Sequence, residues 1–272
     1  PSIELFLNDR KRVFQTSQWP PRPENRASWF YLSPKVGANG LMKLITKKVA
    51  GADANFSSFI GAPTNPVVAS SEFDQPSELG ENALGWQSSP MKKDIILAGI
   101  PKQKLFATIA AGPAKTPHVI ATLYDVAKDG SIVCVPIITT SGAQRCGISK
   151  ATFAMNPELR DVDPKDNHDN VYKPSVLTPV VPGPPCPIQV PECPHKVELR
   201  TRGMAQSYLL EKGHSLRLVV ATSQVDKPAT RSEGEVTIYM GPDDQSRIGV
   251  PVVRKARLRK DAFYSSGGAD GS

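Results

Sequence analysis

Apolar and polar residues alternate along several stretches of this chain. Val197 and Leu199 do so in one, Leu216, Leu218 and Val220 in the next, and Val236, Ile238 and Met240 in a third. Successive side chains of a strand point to opposite faces, so a period of two predicts strands with one face on a core. β-branched residues are prominent in these runs, as strands favour. Gly203, Gly213, Pro228, Gly234 and Gly241-Pro242 punctuate them. That spacing suits a β-sandwich rather than βαβ units.

Asp129-Gly130 separates the run His118 to Val126 from the run Ser131 to Thr140. Asp-Gly suits a tight hairpin with positive φ at both central residues, so the two runs are expected to be neighbouring antiparallel strands. Only short helices are expected, around Asn156 to Arg160 and Ser77 to Asn82. From Asn156 to His195 the chain changes character: Asp161, Asp163, Asp166 and Asp169 are followed by prolines at 174, 179, 182, 184, 185, 187, 191 and 194. Proline cannot donate to a ladder, so this segment is expected to be a long surface excursion. The expected organisation is one jelly-roll sandwich over residues 1–255, with the excursion 156–195 inside it. A tail follows over 256–272, basic and then Gly/Ser-rich.

Composition agrees with an all-β chain. The chain has 272 residues, within the range of a single large sandwich. Its 39% hydrophobic and 22% charged residues leave enough apolar surface for a core. Proline, at 26 residues, argues against helices, because it lacks an N–H and clashes with the preceding turn. No apolar run reaches the ~18 residues of a membrane span, and Pro1 to Arg12 mix charge into apolar positions, so neither a span nor a signal peptide is expected.

The net charge of +7 is local. Arg254, Lys255, Arg257, Arg259 and Lys260 lie in one short stretch; removing these five from 33 leaves 28 basic against 26 acidic residues. Nucleic-acid binding needs cations spread along a face or groove, so a solvated strand end is the reading preferred here, and no nucleic-acid partner is expected.

The four cysteines form two local pairs, Cys134 with Cys146 and Cys186 with Cys193, although four cysteines allow three pairings. If they are paired, the chain belongs in a secreted or periplasmic setting; free or buried thiols in a cytosolic protein are the alternative.

Catalytic and metal motifs are incomplete. The nucleophile elbow Gly-x-Ser-x-Gly fails at the last glycine of Gly213-His214-Ser215-Leu216-Arg217, and a strand pattern follows where a helix is required, so Ser215 is not expected to be a nucleophile. Cys186, Cys193 and His195 match no usual zinc spacing. The carboxylates Asp161 to Asp169 lack the glycine of an EF-hand loop, with Lys165 and Asp166 at the wrong positions. No cofactor is expected; an irregular structural calcium site in a jelly-roll loop is the metal alternative. Trp19, Trp29, Tyr31 and Trp86 are the candidate ligand-binding residues, as a platform on which a sugar or aromatic ligand stacks, against the alternative of core or edge packing.

The order of several short motifs resembles the C-terminal jelly-roll domain, galactose-binding-like in fold, of the cocaine esterase / X-Pro dipeptidyl-peptidase (CocE/NonD) family of serine hydrolases. Trp19-Pro20, Phe30-Tyr31-Leu32 and Gly40-Leu41 resemble its opening strands. Ile96 to Pro101 with Leu105 is similar to its "l-x-G-x-P-x-l" strand, and Leu123 to Gly130 to its "L-x-D-V-x-x-D-G" hairpin. Gly213 to Leu218 resembles "G-H-x-L-R-L", and Ser246 to Val252 the closing "S-x-l-x-l-P-v". After Gly142 the match is loose, held by Arg145, and the excursion to His195 is longer than the family's.

The resemblance implies a non-catalytic sandwich that packs on an α/β-hydrolase domain carrying a Ser-Asp-His triad and helps wall its active site. The chain alone is then expected not to be an enzyme, with a hydrolase as parent and homo-oligomer contacts as a further partner. The alternative is a stand-alone carbohydrate- or polymer-binding module.

Overall fold

A computed structural model describes residues 3–8, 12–17, 25–48, 56–61, 83–99, 101–111, 118–136, 144–154, 177–179, 197–202, 206–221, 234–242, 245–253 and 258–260. They form strands and turns, with no helix among the described residues. In chain order the strands are β1 (Ile3–Phe6), β2 (Arg12–Thr16), β3 (Asn25–Val36), β4 (Met42–Ile45), β5 (Phe56–Gly61), β6 (Ala83–Ser88) and β7 (Ile95–Gly99). Next come β8 (Lys102–Ala111), β9 (His118–Val126), β10 (Val135–Pro136), β11 (Gln144–Arg145), β12 (Gly147–Ala154) and β13 (Leu177–Pro179). The last are β14 (Val197–Arg202), β15 (Gln206–Leu210), β16 (Ser215–Ala221), β17 (Gly234–Tyr239), β18 (Arg247–Val253) and β19 (Leu258–Lys260).

The main hydrogen-bonded path runs β12-β9-β16-β6-β4-β3-β18-β8-β14-β13, with β7, β15, β17 and β5 joined to it through β18 and β8. Among the described residues every strand pairing is antiparallel except β4 with β6. The result is an all-β sandwich. Its core gathers Leu32, Leu44, Trp86, Leu123, Leu216 and Leu218 from β3, β4, β6, β9 and β16 with Leu105, Val236, Ile238, Ile248 and Val250 from β8, β17 and β18. Alternation in β16 works as the sequence predicts: Leu216, Leu218 and Val220 enter this core. Val219, on the other face, is also buried, so β16, paired on both edges with β9 and β6, is covered on both faces there.

A second cluster of Leu7, Ile96, Ala98, Leu209 and Val253 forms beside β1, and Asn8 ties it down with both halves of its amide on the backbone of Leu209. β1, β2 and β19 make a small separate sheet. Part of the basic stretch expected as a tail beyond residue 255 is therefore a strand, with Leu258 opposite Phe14 and Lys260 opposite Arg12.

The turn at Asp129-Gly130 differs from the expected two-residue hairpin. Gly130 N–H donates to the Ala127 carbonyl and Ala127 N–H to that of Ser131, so Lys128 and Asp129 are the central residues and Gly130, with φ 90°, follows them. Positive φ suits glycine, and a type I turn followed by such a residue is the usual three-residue hairpin loop. Asp129 Oδ1 accepts from the N–H and hydroxyl of Ser131. Beyond the Val126–Ile132 bridge the second run leaves β9: β10 pairs with β11, and β9 takes β12 and β16 as neighbours. The two candidate helices, the Asp-rich cluster and most of the excursion lie outside the described residues.

Candidate functional site

Two places combine the residue types that chemistry or recognition requires. The first lies where β9 ends and β16 begins. Antiparallel pairing sets Leu216 opposite Asp125 and Ser215 opposite Val126, which brings the residue before Ser215, His214, beside the Asp125 carboxylate. His214 Nδ1 is 3.0 Å from Asp125 Oδ1, and the Tyr208 hydroxyl on β15 donates to Asp125 Oδ2 at 3.0 Å. The Asp125 side chain is only 1% exposed and that of His214 14%. Burial is the largest influence on Asp125 and raises its pKa above the ordinary carboxylate value, outweighing the opposing effects of His214 and Tyr208.

The backbone around His214 is clamped as well. Met91 N–H donates to the His214 carbonyl, Gly213 N–H to that of Met91, and Lys212 N–H to the Asp94 carboxylate. A carboxylate that orients an imidazole is half of a hydrolytic triad, and completing it takes a hydroxyl or thiol at the second ring nitrogen. Here His214 Nε2 faces Glu211 Oε2 at 3.9 Å. Ser215 is 4% exposed at the start of β16. The geometry is that of a buried polar staple joining β9, β15 and β16.

Ser246 has a comparable structural role. Fully buried, it accepts the Phe106 N–H on its hydroxyl at 2.9 Å and the Leu32 N–H on its carbonyl at 2.9 Å, tying β8 and β3 to the start of β18.

The second place is the face of β3, β18 and β8 turned away from the main core. Trp29 and Tyr31 alternate with the core residues Phe30 and Leu32, so both lie on this face, half-buried. Register sets Tyr31 opposite Arg247 and Trp29 opposite Gly249. The Trp29 ring lies against Gly249: a Cβ built there would be 3.0 Å from Cζ3 and 3.1 Å from Cε3 and Cη2. A glycine is needed at that position for the indole to lie so close to the backbone. The Arg247 guanidinium stands 4.7 Å from the Trp29 ring centroid, within cation–π range. One strand on, Lys104 is opposite Arg247, Lys102 opposite Gly249, and the Lys104 ammonium lies 4.8 Å over the Phe106 ring.

The candidate platform residues are thus divided. Trp29 and Tyr31 share this face, whereas Trp86 is completely buried in the core, its indole N–H 3.3 Å from Met240 Sδ, and offers no surface to a ligand. Trp19 lies outside the described residues. Cys134 and Cys146 are disulfide-bonded, clipping β10 to β11; Cys186, Cys193 and His195 fall outside the described residues. Sequence reasoning passed over Asp125, Tyr208, Arg247 and Lys104 as site residues. Asp125 lies within the hairpin motif Leu123 to Gly130 and His214 within the strand motif Gly213 to Leu218, but nothing in those motifs tells that they meet.

Comparison with known proteins adds a family and a fold. The sequence profile of the X-Pro dipeptidyl-peptidase C-terminal non-catalytic domain matches residues 1–248. A comparison with curated proteins finds no match. Among solved structures, an aminopeptidase from the marine sediment archaeon Thaumarchaeota archaeon superposes with a TM-score of 0.56 at 16% identity, over 88% of this chain and 38% of that one. A CocE/NonD family hydrolase from Staphylococcus aureus gives 0.54 at 15% identity, over 89% and 39%. An α-amino acid ester hydrolase gives 0.51 at 14% identity, over 83% and 36%. At these identities the likeness is one of fold, and the chain spans less than two-fifths of each of these structures.

Proposed function

Since the chain belongs to the X-Pro dipeptidyl-peptidase C-terminal non-catalytic domain family, we propose that it is the accessory β-sandwich of a CocE/NonD-type serine hydrolase, packing on an α/β-hydrolase domain and helping to wall its active site. The observation that carries this reading is the profile match over residues 1–248. Among the described residues His214 is oriented by Asp125 on one ring nitrogen and faces Glu211 Oε2 with the other, 3.9 Å away. The Cys134–Cys146 disulfide favours an oxidising compartment, secreted or periplasmic.

In this reading the jelly roll covers residues 1–255, and the parent cleaves an ester or X-Pro peptide bond through a triad in its hydrolase portion. The test is an assay of the isolated 272-residue chain against a p-nitrophenyl ester and an X-Pro anilide, beside the intact gene product. Turnover is expected only from the intact product, and only if it carries a Gly-x-Ser-x-Gly portion. Turnover by the isolated chain that persists in Ser215→Ala would overturn the proposal, as would a gene product with no hydrolase portion.

A further inference from the structure

Asn39 and Gly40 stand at the tip of the hairpin between β3 and β4. We propose that this turn is a self-modification site, poised for attack of the Gly40 backbone nitrogen on the Asn39 side-chain amide, which converts residue 39 to aspartate or isoaspartate and releases ammonia. Water is the only co-reactant.

Among the asparagines of the chain, only Asn39 is followed by glycine. Ring closure brings the nitrogen of the next residue onto Cγ, and a side chain on that residue would crowd the approach. Gly40 has none, and the space where a Cβ would stand is open. Both residues are exposed, so water reaches the reacting atoms.

The amide is folded back onto the turn. Asn39 Oδ1 accepts the Leu41 N–H at 3.2 Å in an Asx turn, and a Cβ built at Gly37 would be 3.1 Å from the same oxygen. Attack at Cγ develops negative charge on Oδ1, and a backbone N–H already aimed at that atom stabilises the charge as it forms. Gly40 N–H donates to the Gly37 carbonyl at 3.1 Å. That bond lies at an exposed loop tip, where local opening costs little, and its release admits the reaction.

The turn after β9 has the same build. Gly37 N–H donates to the Leu41 carbonyl and Gly40 N–H to that of Gly37, just as Ala127 N–H donates to Ser131 and Gly130 N–H to Ala127. Gly40 and Gly130 share a positive φ, 77° and 90°. Where the first turn has Asn39 the second has Asp129, and the hydroxyl and N–H of Ser131 hold its carboxyl below the ordinary carboxylate value. An ionised carboxylate is a poor electrophile, so this second turn resists ring closure. It also shows that an aspartate at the equivalent position is compatible with the turn.

In the reaction the bond from Gly40 N to Cγ forms and the Cγ–Nδ2 bond breaks; the Gly40 proton leaves with Nδ2 in ammonia. The cyclic imide then takes up water. Opening at Cγ leaves aspartate. Opening at the main-chain carbonyl of residue 39 leaves isoaspartate, with the side-chain methylene spliced into the backbone between Val36 and Met42, which face each other across the hairpin.

The test incubates the folded 272-residue chain in mildly alkaline buffer made with water enriched in heavy oxygen, followed by peptide mass mapping over time. Ammonia loss and then uptake of heavy oxygen are expected at residue 39. Asn8, whose amide is held on both sides by the backbone of Leu209, serves as the reference and stays intact. Gly40→Ala is expected to slow conversion of Asn39 at least about tenfold, because a Cβ is strained at this φ and crowds the nitrogen. Asp129→Asn, which sets an asparagine before glycine in the second turn, is expected to convert at residue 129 at a rate similar to that of Asn39.

An Asn39 peptide that takes up heavy oxygen no faster than the Asn8 peptide overturns the proposal. So does an unchanged rate at Asn39 in Gly40→Ala, since the attacking group would then not be the nitrogen of residue 40. A chain with Asp129→Asn that stays intact at that position overturns the part assigned to the turn.

Discussion

Asp125 and His214 are 89 residues apart in the chain and 3.0 Å apart in space, with the Tyr208 hydroxyl closing the other side of the carboxylate at 3.0 Å. Asp125 lies on β9, Tyr208 on β15 and His214 directly before β16, so the contact measures whether these three strands are correctly assembled. Removing one member leaves the others buried without their partners.

Asp125→Ala is therefore expected to cost about 2–4 kcal/mol, because a buried hydroxyl and imidazole lose their acceptor. His214→Ala removes a less buried partner and should cost less. A double-mutant cycle read by urea unfolding should return a coupling of ~0.5–3 kcal/mol between the two, as for groups in direct contact. Additive losses would show that the staple does not act as a unit.

The same carboxylate predicts a pH dependence. Burial raises the Asp125 pKa in the folded chain above 3.8, so between that value and the raised one the folded state holds more protons than the unfolded state. The stability this group contributes is fully present below 3.8 and is lost as pH rises through the folded pKa. Urea unfolding of wild type and Asp125→Asn across this range should show wild type losing ground to the variant as pH rises, with a constant difference above the window. The opposite slope would mean that His214 and Tyr208 outweigh burial.

Trp86 tests the division of the aromatics. It is fully buried, so Trp86→Ala should cost about 3–5 kcal/mol, as for large aromatic truncations in cores. Thermal unfolding and near-UV circular dichroism measure this directly. Trp29→Ala, on the half-buried face, should be milder.

The disulfide closes a loop with a sequence separation of 12. Chain entropy assigns such a loop about 3 kcal/mol. Cys134→Ala/Cys146→Ala should lower the urea midpoint accordingly, and reducing agent should lower wild type to the level of the variant while leaving the variant unchanged.

Much of the sandwich was legible in the sequence because a strand with one face on a core must alternate, and Leu216, Leu218, Val220, Val236 and Ile238 do so and enter one core. The family was legible for a related reason: short motifs such as Leu123 to Gly130 and Gly213 to Leu218 sit at strand ends, where turn geometry restricts the residues allowed. Period two says that Trp29 and Trp86 each share a face with residues two places away, but not which face meets the core. Tertiary structure decided that, covering Trp86 on all sides and leaving Trp29 against Gly249 on the outer face. It also decided the neighbours of β9. Local turn chemistry points to the next segment in sequence, whereas the ladder goes to β12 and β16, because burying both faces of a central strand outweighs the short loop closure that a hairpin offers. Only that pairing puts Asp125 beside His214.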